Sequence, residues 1–363
     1  MMETRFVQPP NPRNPFVQNE LLFAAETNRS FSDSRFSIVH QVNSILTGFL
    51  GIGSSLMIVY LVLFKTPLHF KAYSRMLLLC ALADLTFILC DLWCGFRIRI
   101  AGAVIIGAFN GPARLFSPFG QCLSMTVQAI GPQLACFLLP INGYFRYYAI
   151  KNNRPPSNVQ LAKWLAAMFG LLFVLSLPIA PLGCQWLVSD ALMPDLGPIW
   201  YHERPIPFLI AADIRHPSVI LFLFCFVSIL SAAYLVAILY AKRTVDELKQ
   251  KAAELSARTS ALQSQLALTL YVQMASPVVT ALVPLLVIFG LMIADYETQF
   301  MGDLIMLAVQ WSPVLNCISS LWIIKPYRME CWRLVTCRRH KTNVMHTITY
   351  EPSRAVTTRF RSF

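Results

Sequence analysis

The sequence predicts an all-α membrane protein built as a bundle of seven transmembrane helices, and three observations carry that prediction. Of 363 residues, 56% are hydrophobic and 13% charged, the latter about half the charged share of a soluble domain. Mean hydropathy is +0.55, more apolar side chain than the interior of a globule this size can hide, so lipid must cover the remainder. Runs of about 20 apolar residues, enough to cross the hydrocarbon at ~1.5 Å per residue, recur along the chain.

The chain divides into an extracellular N-terminal segment (1–36), the bundle (37–324), and a cytoplasmic juxtamembrane helix with its tail (325–363). The first 35 residues hold Pro9, Pro10, Pro12 and Pro15 among polar side chains and no stretch resembling the apolar part of a signal peptide. The first span is therefore expected to direct insertion itself. The seven spans are expected near 37–64, 74–93, 118–145, 164–183, 217–241, 267–293 and 302–324. The stretch 98–112 is also apolar, but it is short and carries Gly102, Gly107 and Gly111. It reads as a loop segment on the outer side rather than an eighth span.

Lys and Arg set the orientation. With the tail in the cytoplasm, 21 of them fall in inner segments and 9 in outer ones. Arg97, Arg99 and Arg114 lie on the outer side and run against this bias. A sequon, Asn28-Arg29-Ser30, makes Asn28 a glycosylation candidate in the outer segment. The net charge of +12 concentrates at the inner face, which favours a lipid surface over nucleic acid as its partner. The ten cysteines show no CxxC pair and no Cys/His ligand spacing, so neither a metal site nor a dense disulfide framework is expected.

Two acids interrupt the second span. Asp84 lies near its middle, where a carboxylate must face the bundle interior, and Asp91 follows seven residues later on roughly the same face. Asp84 is the candidate for an internal polar switch, against the simpler role of a helix–helix hydrogen bond. On the third span Pro132 and Pro140 permit kinks, and Arg146 stands at the inner membrane face beside Tyr147 and Tyr148. That arginine can snorkel, or present a fork of donors to a partner's carbonyls. Residues 243–265 read as helix, with Leu248, Leu255 and Leu262 along one face.

After the seventh span, Lys325 to Arg339 mixes apolar, aromatic and basic residues, as a helix lying on an anionic membrane surface does. Cys331 and Cys337 are palmitoylation candidates there. On the outer side Cys122 and Cys184 form a candidate disulfide, with Cys94 as the competing partner.

The ligand pocket is expected among the outer halves of the third, fifth, sixth and seventh helices. Its candidate residues are Asp91, then Gln121, Met125 and Gln128 on one face of the third helix, and Gln310 with Trp311 on the seventh. Simple helix packing is the alternative for each. The scarcity of charge in this region predicts a small, neutral and volatile ligand.

A family resemblance rests on three segments. Leu255 to Pro284, LSARTSALQSQLALTLYVQMASPVVTALVP, carries Ser256, Thr259, Leu262, Gln263, Leu270, Gln273, Pro277 and Pro284 at spacings that resemble the sixth-helix boundary of nematode serpentine chemoreceptors. Pro326-Tyr327-Arg328 and Phe145-Arg146-Tyr147-Tyr148 look like the same group, the Str superfamily, with its delta and h classes nearest. The resemblance implies a rhodopsin-like G-protein-coupled receptor in the plasma membrane of chemosensory cilia, serving olfaction. It implies an odorant or pheromone as ligand and a heterotrimeric G protein as partner, with Arg146 and Tyr147 as contacts. Compared with rhodopsin-like receptors, Asp84 matches the second-helix acid, whereas Ser54 stands where asparagine is usual. No acid precedes Arg146, and Ser312-Pro313-Val314-Leu315-Asn316 matches the seventh-helix motif loosely.

Other classes fit less well. Residues 302–324 contain no lysine to carry a retinal Schiff base. A transporter would show more intramembrane charge and an internal repeat. A seven-helix ligand-gated channel of the insect odorant-receptor type would place its tail outside, against the charge bias. No nucleophile–base pair suggests an enzyme, and no cofactor is expected.

Overall fold

The computed structural model describes residues 20–66, 71–101, 104–152, 154–179, 209–213, 216–251, 257–284, 286–287, 290 and 301–336. Its helices, in chain order, are α1 (Glu20–Tyr60, continuing as a π turn over Leu61–Lys65), α2 (Lys71–Cys94), α3 (Pro118–Lys151), α4 (Asn158–Ser176), α5 (Pro217–Gln250), α6 (Ala257–Pro277, continuing as a π turn over Val278–Leu282), α7 (Met301–Ile323) and α8 (Lys325–Val335). Among the described residues, six helical stretches are long and apolar enough to cross a membrane, on α1 to α5 and α7. The expected sixth span, 267–293, falls on α6 and runs into residues outside those described.

Hydropathy alone set several ends too short or too long. α1 begins at Glu20, so the Asn28 backbone is helical, because the polar stretch before the span is rich in good helix formers such as Glu, Leu and Ala. α3 runs on to Lys151 and α5 to Gln250, beyond their apolar parts. The helix expected without interruption over 243–265 ends at Gln250. There Lys251 turns back to donate its ammonium to the carbonyls of Ile150 at 3.0 Å and Lys151 at 2.6 Å. A cation on the last carbonyls of α3 satisfies acceptors the helix leaves open and suits its dipole. Start signals are equally local: Ser117 and Ser157 accept from the amides of Gly120 and Gln160 to cap α3 and α4.

The apolar stretch after α2 is neither a span nor an irregular loop. Its β-branched residues form strands β1 (Phe96–Ala101) and β2 (Val104–Phe109), paired antiparallel from Phe96 opposite Phe109 to Ala101 opposite Val104. β3 (Leu209–Asp213) adds to β2, with Val104 opposite Asp213, giving an antiparallel sheet in the order β1-β2-β3. Gly95 makes the corner between α2 and β1 at φ +50, a left-handed conformation that side chains beyond glycine rarely adopt. Its amide bonds to the Asp91 carbonyl at 2.6 Å, closing the helix end. Phe96 and Phe109 pack with Cys94, Ala113 of the turn over 112–115, and Met306 of α7, so the hairpin roofs one end of the bundle.

At the opposite end, Ile58, Leu61, Leu77, Ala81, Leu266 and Cys317 pack with Ile324 and Tyr327 of α8. Thr66 spends its only proton on the Leu61 carbonyl, so the Tyr327 hydroxyl donates to Thr66 Oγ1 at 3.0 Å. Burial pushes that phenol up to about 12. Outward-facing Ile45, Phe49, Phe224 and Trp322 are well exposed, as side chains facing lipid are.

Candidate functional site

Three polar clusters lie along the bundle axis, and α7 touches all of them. Nearest the roof, Arg97 of β1 and Asp303 of α7 are fully buried and paired, with Arg97 Nε 3.5 Å from Asp303 Oδ1. His40 of α1 is buried beside this pair. Arg97 is therefore spent on an internal partner and is not a free surface charge.

The second cluster gathers most of the expected ligand residues. Gln128 Nε2 donates to Asp91 Oδ1 at 3.2 Å, and the Gln310 amide also reaches this carboxylate. Gln310 in turn donates to Ser44 Oγ at 2.9 Å and accepts from Asn43 Nδ2 at 2.6 Å. Asn43 Oδ1 takes the Trp311 indole N–H at 3.0 Å. A cavity of about 10 Å³ borders the cluster, lined by residues including Thr47, Asp91, Gln310 and Pro313. That space suits about one water molecule with polar partners. It lies between α1, α2 and α7, not among the third, fifth, sixth and seventh helices where the pocket was expected.

Gln121 and Met125 take other work. Gln121 Nε2 holds the carbonyls of Arg114 and Phe116 at 3.2 and 3.0 Å, fixing the turn that leads into α3. Met125 packs beneath the hairpin with Phe96 and Phe109. Of the three α3 residues grouped by spacing, Gln128 meets Asp91 while Gln121 and Met125 serve the roof.

The third cluster runs from Asp84 to Arg146. Asn316 Nδ2 donates to Asp84 Oδ1 at 3.2 Å and the Cys317 thiol to Oδ2 at 3.6 Å. With that proton committed, the Ser55 hydroxyl donates to Cys317 Sγ at 3.2 Å. Ser54, the position compared with the usual asparagine, bonds only its own helix at the Gly51 carbonyl. From the other side Arg146 Nε donates to Asn142 Oδ1 at 2.9 Å, and Asn142 Nδ2 reaches Gln273 Oε1 at 3.5 Å. Gln273 Nε2 donates to Ser320 Oγ at 3.2 Å, which donates to the Asn316 carbonyl at 2.8 Å. Donors therefore point the same way from the guanidinium to the Asn316 backbone carbonyl, where the run ends, and Asn316 separately donates its side-chain amide to Asp84; the aligned bonds of the run reinforce one another. The chain joins α3, α6, α7 and α2.

Arg146 is only 4% exposed, so it neither snorkels nor faces a partner in this state. Among the described residues its Nη1 has no hydrogen-bond partner. A buried guanidinium held by a neutral amide is costly. Tyr147 is half-buried, its ring tilted against that of Tyr240 of α5 with centroids 6.0 Å apart, and it accepts from Lys151 Nζ at 3.1 Å. Sequence reasoning passed over Asn43 and the Arg97–Asp303 pair, and it knew Gln273 only through the family pattern.

Cys122 is disulfide-bonded, while Cys94 is free and donates its thiol to the Ser124 carbonyl at 3.2 Å. Cys184 and Cys337 lie outside the described residues. Cys331 is free and half-buried on α8, beside the exposed Trp332. No group of three or more metal-ligating side chains occurs among the described residues.

No curated protein matches the sequence. Among solved structures the fold is similar to squid rhodopsin, with a TM-score of 0.54 at 14% identity over 84% of this chain and 89% of that one. At that identity the likeness speaks for the seven-helix receptor fold alone. The model of one protein family, described as serpentine type 7TM GPCR chemoreceptor Srd, matches residues 36–333. With the match running from α1 through α8, the chain belongs to this family of serpentine chemoreceptors.

Proposed function

We propose that this chemoreceptor binds a small, neutral odorant or pheromone at the roofed end of the bundle and activates a heterotrimeric G protein at the Arg146 end. The N-terminus is outside and the C-terminus cytoplasmic, in the plasma membrane of chemosensory cilia, and the receptor serves nematode olfaction. It falls within the Str superfamily, in its delta or h class. The observation that carries the reading is the polar run from buried Arg146 to the Asn316 backbone, with the Asn316 side chain holding Asp84, which ties four helices through neutral groups. Such a chain holds one state and releases to another at modest cost, as a ligand-shifted equilibrium requires.

In this reading Asp84 is the switch, and release of Asn142 and Gln273 turns Arg146 and Tyr147 toward the G protein. Asp91, Gln128, Gln310 and Trp311 read the ligand's polar group, with Gln121 and Met125 shaping the entrance. Cys122 pairs with Cys184, Asn28 carries glycan, and Cys331 and Cys337 carry palmitate on a helix lying on the inner leaflet.

A reporter screen of small neutral volatiles in cells expressing the receptor tests this. An active compound should lose most of its signal in Arg146→Ala at equal surface level. A signal that persists undiminished, or a current that needs no G protein, would contradict the assignment.

A further inference from the structure

The roof and the deep clusters share one helix. On α7, Asp303, Gln310 and Cys317 recur every seven residues, so one face carries the Arg97 pair, the Asp91 cluster and the Asp84 cluster in turn. All three are buried or nearly so. Pro313 lies within α7 between the second and third of them, where the missing backbone hydrogen bond lets the helix bend.

The hairpin is seated on α7 closely. Gly302 brings the helix against the Ile98 carbonyl of β1, where any Cβ would collide. One turn on, Met306 packs under Phe96 and Phe109. Between them Arg97 and Asp303, both fully buried, make the charged contact between roof and helix. Removing one member of such a buried pair leaves an uncompensated charge at the seam, which is strongly unfavourable. Cys94 sits directly beneath the hairpin and is free, and Cys317 is free and buried beside Asp84.

We infer that the Arg97–Asp303 pair is a latch joining the β-hairpin roof to α7, so that opening the roof and moving α7 are one event. This deepens the receptor reading by naming where arrival of a ligand is first felt. The latch is a two-state element that both ends of α7 bias, which is the physical requirement for coupling between them.

The test uses the full chain, purified in detergent, with a small cationic methanethiosulfonate as probe and peptide mass spectrometry to follow each cysteine. It needs neither ligand, G protein nor a known orientation, so its failure is distinct from failure of the receptor reading. The unlatched variant is Arg97→Met with Asp303→Leu, which removes both charges together. Labelling of Cys94 and of Cys317 should both rise, by roughly tenfold or more, as the closed population falls. Cys136, free and held against Tyr234 between α3 and α5, should label no faster. The exchanged pair, Arg97→Asp with Asp303→Arg, should return both cysteines toward the wild-type rate. Cys94 rising alone would overturn the coupling. No change at either cysteine, a parallel rise at Cys136, or an unlatched variant that cannot be recovered folded would overturn the latch.

Discussion

Arg97→Ala alone is expected to be the most destabilising single substitution in the roof. It leaves the Asp303 carboxylate fully buried with its cation gone, and removing one member of a buried pair costs about 3–5 kcal/mol. Against a total stability on the order of 5–15 kcal/mol for a folded domain, that is a large share. Melting of the purified receptor should show the midpoint falling well below wild type, and the fraction reaching the cell surface should fall with it. Asp303→Ala should behave alike, since it strands the guanidinium instead. An unchanged midpoint in either variant would mean that the charges are solvated rather than sealed beneath the hairpin.

Gln273→Leu is expected to raise ligand-independent G-protein signalling. Gln273 accepts from Asn142 and donates to Ser320, so leucine severs the chain at the step between α3 and α7. Two neutral hydrogen bonds are together worth roughly 1–3 kcal/mol, and ~1.4 kcal/mol is a tenfold change in an equilibrium. The gain in basal signal should therefore be roughly tenfold at matched surface expression, because the run holds the resting state. Thr269→Ala on the same helix, whose hydroxyl bonds only the Gln265 carbonyl, should leave the basal signal flat. Equal basal signals in Gln273→Leu and wild type would show that the chain is mere packing.

Much of this architecture is visible in the amino-acid order because lipid imposes a coarse rule, that a span must be long, apolar and helical. Asp84 and Asp91 stood out for the same reason, as carboxylates where few belong, and both face inward among hydrogen-bond donors. The hairpin was harder to see. Its run of Ile, Val and Ala suits lipid, a buried helix or a strand equally, and pairing decides among them, β1 with β2 locally and β2 with β3 about a hundred residues away in sequence. The role of Arg97 was hidden for a related reason. A count of basic residues cannot distinguish an exposed arginine from one whose acid lies on α7. Asn43 is an ordinary polar residue on a mostly apolar helix, and its importance arises from the side chains of α7 that it meets. The capped ends at Ser117 and Ser157, by contrast, depend on neighbours a few residues away and are written locally.

The receptor reading rests on which side of the membrane each end occupies, and tag accessibility tests that most directly. One epitope is placed at the N-terminus and another at the C-terminus, and antibody binding is compared in intact and permeabilised cells. The account predicts the N-terminal tag reached on intact cells and the C-terminal tag only after permeabilisation. A C-terminal tag exposed on intact cells would place Arg146 and α8 outside, away from any G protein, and would contradict the account.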